Sequence, residues 1–191
     1  MASLPTNVHV SIHPCLQAKL SLLRSKATSA KEVRALVHEI SLLVASEALA
    51  SSLQAVDGPK MLLPEAVPVH HLGLYREPST LEPVEYYNNL PNHIGTPASQ
   101  GPDKLAIILD PVIATGGTCA AVIQTLREWG VERVVVVSIV AALPGVHRAA
   151  SEWPEGVQIW CAGVDNVLTD EGMLRPGLGD IGDRLFLTIG K

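Results

Sequence analysis

Cysteine is scarce in this chain: Cys15, Cys119 and Cys161 are the only three, an odd and scattered set in 191 residues. That argues against a disulfide framework and fits a reducing compartment, so a cytoplasmic location is expected. Basic residues are outnumbered. With 14 Lys and Arg against 19 Asp and Glu the net charge is −5, which argues against a general nucleic-acid or membrane-surface binder and leaves room for a local basic pocket. No apolar run is long enough to span a bilayer. Met1 to Val10 lacks the basic-then-apolar form of a secretory signal. There are no internal repeats and no low-complexity tract. The histidines do not read as a metal site either. His70 and His71 are adjacent on an expected strand and would face opposite ways, and the others lack Cys or His partners at zinc spacing. No dedicated protein metal site is expected. What is left is 47% hydrophobic and 17% charged, a globular makeup long enough for one domain with a sizeable core.

The most informative stretch runs from Leu105 to Thr118. Leu105 to Leu109 are apolar without a break, as in a strand covered on both faces of a parallel sheet. Asp110 stands where that strand's carboxyl end meets the crevice, the usual ligand position in open α/β sheets. Gly116 and Gly117 let the backbone curl and bring N–H groups near an anion, and Thr115 and Thr118 add hydroxyl donors. The helix expected over Cys119 to Trp129 would aim its positive end at the same place. This is the layout of a phosphate cradle. Cys119 lies beside it and reads as a small packing residue rather than a nucleophile.

The rest of the chain falls into place around that motif. A short helix is expected over Leu16 to Leu23, after His13-Pro14. Ser29 and Glu32 form a capping box for a longer one, whose apolar stripe is Val33, Leu36, Val37, Ile40, Leu43 and Val44. Val67 to Tyr75 reads as a strand, and Arg76 to Gln100 as a long loop or hairpin. After the cradle come a strand at Val134 to Val140, a helix at Pro144 to Trp153 and a strand at Val157 to Ala162. Strand and helix alternate, which implies an α/β fold with a parallel sheet flanked by helices. The tail from Met173 to Phe186 mixes Pro176, Gly177, Gly179 and Gly182 with Asp180 and Asp183. Such a run is expected to be a fixed loop that offers backbone groups to a ligand, with no regular helix or central strand.

Three stretches together resemble the uracil phosphoribosyltransferases, members of the type I phosphoribosyltransferase family. They are Asp110-Pro111-Val112-Ile113-Ala114-Thr115-Gly116-Gly117-Thr118, the tail Pro176-Gly177-Leu178-Gly179-Asp180-Ile181-Gly182-Asp183, and Gly73-Leu74-Tyr75-Arg76 followed by Leu81-Glu82-Pro83-Val84-Glu85-Tyr86-Tyr87. The resemblance implies a phosphoribosyltransferase-like sheet with an N-terminal helical arm. It would form one domain over residues 1–191: arm to 50, a shortened hood and flexible loop over 51–104, and the phosphate- and base-binding core over 105–191. It implies the substrates uracil and phosphoribosyl diphosphate, with Mg²⁺ carried by the diphosphate. Thr115 to Thr118 would hold the 5′-phosphate and Asp110 the ribose hydroxyls. Arg76 would meet the diphosphate. Leu174, Gly179 and Ile181 would contact uracil through the main chain, and Asp180 would stand at the junction of base and ribosyl diphosphate. A homodimer packed through the arm, and GTP as a further nucleotide, belong to the same set of expectations.

The chain also departs from that pattern. Leu174, Arg175 and Ile181 stand where relatives carry Ile, Val or Ile, and Ala, and Ile181 adds bulk beside the base. Between Ala48 and Asp57 nothing matches the core strand and the Pro-Ile-Leu-Arg-Ala-Gly-Leu loop that bind the leaving diphosphate. Loss of a core strand is expected to expose the edge of its neighbour or force re-pairing. A catalytically silent nucleotide-binding or regulatory paralogue is therefore the second reading.

Overall fold

A computed structural model of the chain describes residues 3–52, 69–77, 83–90 and 105–187. Strand β1 (Val8–Val10) leads into helices α1 (Pro14–Arg24) and α2 (Ala30–Ser52). Strands β2 (Leu72–Arg76) and β3 (Pro83–Asn88) form an antiparallel hairpin. Then come β4 (Ala106–Leu109), β5 (Val112–Ile113), α3 (Gly117–Trp129), β6 (Val134–Ala142), α4 (Leu143–Glu152) and β7 (Val157–Asp165). A two-stranded ribbon, β8 (Val167–Leu168) and β9 (Leu174–Arg175), and a short helix, α5 (Ile181–Phe186), finish the described chain.

The main sheet runs β1-β7-β6-β4, with β5 continuing beside β6, and every pairing in it is parallel. Strand β6, VVVVSIVAA, is buried along all nine residues because both its faces are covered. Val134 and Val136 pack with Ile123, Val146 and Ile159 under α3 and α4. Val135, Val137 and Ile139 pack with Leu16, Leu20, Ile40 and Val44 under α1 and α2. The capping box forms as expected: the Ser29 hydroxyl and backbone N–H both donate to Glu32 Oε2, at 2.6 and 2.9 Å. Those bonds to the ionised form hold the Glu32 carboxyl below its ordinary range.

Four expectations change. Strand β4 is not covered on both faces: Ile108 is buried, but Ile107 is 47% and Leu109 76% exposed. Among the described residues it pairs only with β6 and ends the sheet, and α2 lies over β6 and β7 instead. The strand expected from Val67 begins at Leu72, with residues 67 and 68 outside the described ones. His70 and His71 therefore precede the strand; His70 packs edge-on against Trp129. The tail holds regular structure after all, in β9 and α5. Its glycines and proline stop the chain only over 176–179; beyond them Asp180 caps α5, its Oδ1 accepting from Asp183 N at 3.0 Å. The strand β1 had no periodic signal in so short a run.

Candidate functional site

The carboxyl ends of β4 and β5 open on a crevice. Asp110 follows β4, and its N–H still donates to Val137 O at 3.2 Å, so the residue is fixed as the chain leaves the sheet. Pro111 O then accepts from Ile139 and Val140 N, which holds β5 in register. The chain turns through Ala114 to Gly117 into α3. Gly116 takes φ +77°, left-handed backbone that suits glycine. A Cβ there would stand 2.1 Å from Gly145 O, and one on Gly145 would stand 2.0 Å from Ala114 O. The cradle and the first turn of α4 thus touch backbone to backbone.

Asp110, Val112, Ile113, Ala114, Gly116, Thr118 and Cys119 line a cavity of about 100 Å³ at the start of α3. Thr115 lies between the lining residues Ala114 and Gly116, and its Oγ1 is buried with no hydrogen-bond partner. A buried, unsatisfied hydroxyl costs about 1–3 kcal/mol, so it asks for a reason. Cys119 is buried, and burial, then the nearby Asp110 charge, pushes its thiol well up. It is a packing residue, inert as a nucleophile. The β2–β3 hairpin reaches the same spot: Pro83 Cδ and the Arg148 guanidinium both lie within 3.4 Å of where a Gly117 Cβ would stand. Arg76 ends β2 opposite Pro83; its side chain lies outside the described residues.

A second cavity, of about 190 Å³, shares Val112 and Ala114 with the first. Its other lining residues are Gly172, Met173, Leu174, Leu178, Gly179, Asp180 and Ile181. The structure therefore brings Asp110, Val112 to Ala114, Gly116, Thr118, Leu174 and Gly179 to Ile181 to two adjoining cavities; Thr115 and Gly117 lie between lining residues and line neither. Pro111 is exposed at their rim. Two glycines give the tail loop its shape, Gly177 at φ +63° and Gly179 at φ +73°. Among the described residues no cluster of His, Cys, Asp or Glu could hold a metal ion by itself.

The family model for uracil phosphoribosyltransferase matches residues 10–60 and 53–188. The chain belongs to the uracil phosphoribosyltransferase family. A putative uracil phosphoribosyltransferase, urg2, of Schizosaccharomyces pombe is 37% identical over 195 residues, covering 95% of this chain and 90% of that one. The uracil phosphoribosyltransferase of Thermoanaerobacter sp. (strain X514) is 37% identical over 215, covering 95% and 98%. The AQ2163 protein of Aquifex aeolicus has a similar structure, with TM-score 0.77 and 27% identity over 94% of this chain and 97% of that one. The phosphoribosyltransferase-like fold is thus shared along nearly the whole length.

Three residues that support the site were missed in the sequence, two of them without a signal of their own. Arg24, at the end of α1, reads as a cation complementing a helix C-terminus, and Arg184 as a surface charge. Asp165 was findable: like Asp110, it stands at the carboxyl end of an apolar strand. Its side chain is 4% exposed and forms a two-pronged ion pair with Arg24 at 2.6 and 2.9 Å.

Proposed function

We propose that this chain transfers a phosphoribosyl group from phosphoribosyl diphosphate to uracil, giving UMP and diphosphate. The observation that carries the reading is the unpartnered Thr115 hydroxyl, buried at the N-terminus of α3 beside a cavity that shares a wall with the tail-loop cleft. A phosphate at that turn would accept from Thr115, from Thr118 and from the first N–H groups of the helix. Asp110 would take hydrogen bonds from the ribose hydroxyls, which orients the anomeric carbon toward the second cavity. There the base would be read by backbone groups of Leu174, Gly179 and Ile181. Asp180 is the only ionisable side chain among the described residues lining that cleft, and one of its oxygens caps α5. Positioning and electrostatics would therefore supply most of the rate.

Departure of diphosphate builds negative charge on the leaving group, and Arg76 would offset part of it. Asp110, a carboxylate at the cradle, is the hard oxygen donor type that suits Mg²⁺. When bound with the diphosphate, Mg²⁺ would supply further charge neutralisation. A homodimer through the arm, a cytoplasmic location in pyrimidine salvage and a GTP response extend the same reading. No described helix is long and apolar enough to cross a membrane.

The absence of a sequence match to the diphosphate strand and loop between Ala48 and Asp57 favours a second reading, a silent nucleotide-binding paralogue. Loss of one preorganised donor typically costs about 10²–10³ in rate. The deciding experiment supplies labelled uracil, phosphoribosyl diphosphate and Mg²⁺, with Asp110→Asn as control. UMP formed by the native chain and lost in the control supports the enzyme. UMP binding without turnover supports the silent paralogue. Neither binding nor turnover in a folded protein defeats both.

A further inference from the structure

Both backbone polar atoms of Gly177 are held from behind the cleft. Its N–H donates to Asp165 Oδ2 at 2.8 Å, and its carbonyl accepts from Arg24 Nη1 at 3.0 Å. The same guanidinium grips both oxygens of Asp165, so helix α1, strand β7 and the tail loop meet in one closed ring of hydrogen bonds. Arg184 makes the next tie. It donates to Leu178 O at 2.9 Å and to two carbonyls at the end of α1, those of Leu23 and Ser25. The Leu178 side chain is 5% exposed and packs into the core under α1 and α2. The loop cannot rotate a peptide plane at 177 or 178 without breaking a charge-assisted bond in a largely water-free place.

We infer that Arg24, Asp165 and Arg184 are positioning residues for base recognition. Arg24 and Asp165 hold Gly177, one residue outside the lining, and Arg184 holds the lining residue Leu178 by its carbonyl; together they fix the orientation of the peptide units that lead into Gly179, Asp180 and Ile181. A base read by main-chain groups is only as well discriminated as those groups are held. The ring also makes the helical arm part of the base site, because two of its anchor points lie on the last turn of α1. This inference rests on the reading of the tail cleft as a base site.

The test measures UMP and ribose 5-phosphate binding to the full chain by calorimetry. The native chain should bind UMP more tightly than ribose 5-phosphate, since only UMP carries the base. Arg24→Lys keeps the charge and loses the two-pronged geometry. It should weaken UMP tenfold or more and leave ribose 5-phosphate within twofold, with Asp165→Asn behaving alike. If Asp165→Asn does not fold, Arg24→Lys decides. A native chain that binds both ligands equally defeats the base-site reading itself. A native chain that discriminates, with variants that discriminate equally or lose both ligands in parallel, overturns only the positioning role.

Discussion

Replacing Thr115 by valine separates stability from binding. Valine matches threonine in shape and removes the hydroxyl that is buried without a partner. Leaving such a group unpaired costs about 1–3 kcal/mol, so Thr115→Val should stabilise the ligand-free protein by about 1–2 kcal/mol. For a domain of this size that raises Tm by about 3–6 °C. The same change removes one hydrogen bond to a charged phosphate, about 1.5–3 kcal/mol, so UMP should bind about 10- to 100-fold more weakly. The two effects then oppose each other in a melt. At a UMP concentration of about 100 times the native Kd, the native chain gains about 2.7 kcal/mol. A variant binding about 30-fold more weakly gains only about 0.9 kcal/mol, so the Tm advantage of valine shrinks to near zero or reverses. Differential scanning fluorimetry across a UMP series reads both quantities. A ligand-free variant less stable than the native chain, or one whose Tm advantage survives saturation, would refute the reasoning.

Gly116→Ala places a methyl 2.1 Å from Gly145 O at a φ of +77°, so it should cost about 3 kcal/mol or more and abolish UMP binding in whatever remains folded, by urea melt and calorimetry. His9 stacks on Trp160 with ring centroids 4.2 Å apart, and burial lowers its pKa from 6.5. The fold prefers neutral His9, so its contribution is complete above 6.5 and is lost as pH falls below that toward the folded value. His9→Gln should flatten the decline in stability between neutral pH and pH of about 5, and an unchanged slope counts against this. Cys15 is exposed while Cys119 and Cys161 are buried, with Cys161 pushed up to about 12 by burial. A thiol reagent should therefore titrate one cysteine in the native protein and all three in denaturant.

Period and punctuation carried most of the fold. The capping box at Ser29 and Glu32, the stripe on α2 and the unbroken valines of β6 are local patterns, and each fixes its element without help from distant residues. The cradle was legible for the same reason, since strand, acid, glycines and helix are contiguous. What was hidden is what depends on neighbours. The run 105–109 looks like a core strand, and nothing inside it tells that α2 lies over β6 and β7 and that, among the described residues, the sheet ends at β4. The helix α5 was masked by the glycines and proline just before it, although Asp180, three residues before Asp183, is a cap signal. The ring of Arg24, Asp165 and Gly177 spans 153 residues in sequence, beyond the reach of any window.

The backbone contact between Gly116 and Gly145 bears on the order in which the molecule assembles. The phosphate turn looks like a local loop, but its shape is completed by a helix that starts 26 residues after α3 begins. Strand β6 and the first turn of α4 must dock before the turn has its floor. Residues 106–150 would then come together as one cooperative unit rather than as a strand, a loop and a helix in succession. A ligand phosphate resting on that turn would report the completion of this unit, and slow exchange of amide hydrogens would spread from Gly116 into the opening turn of α4.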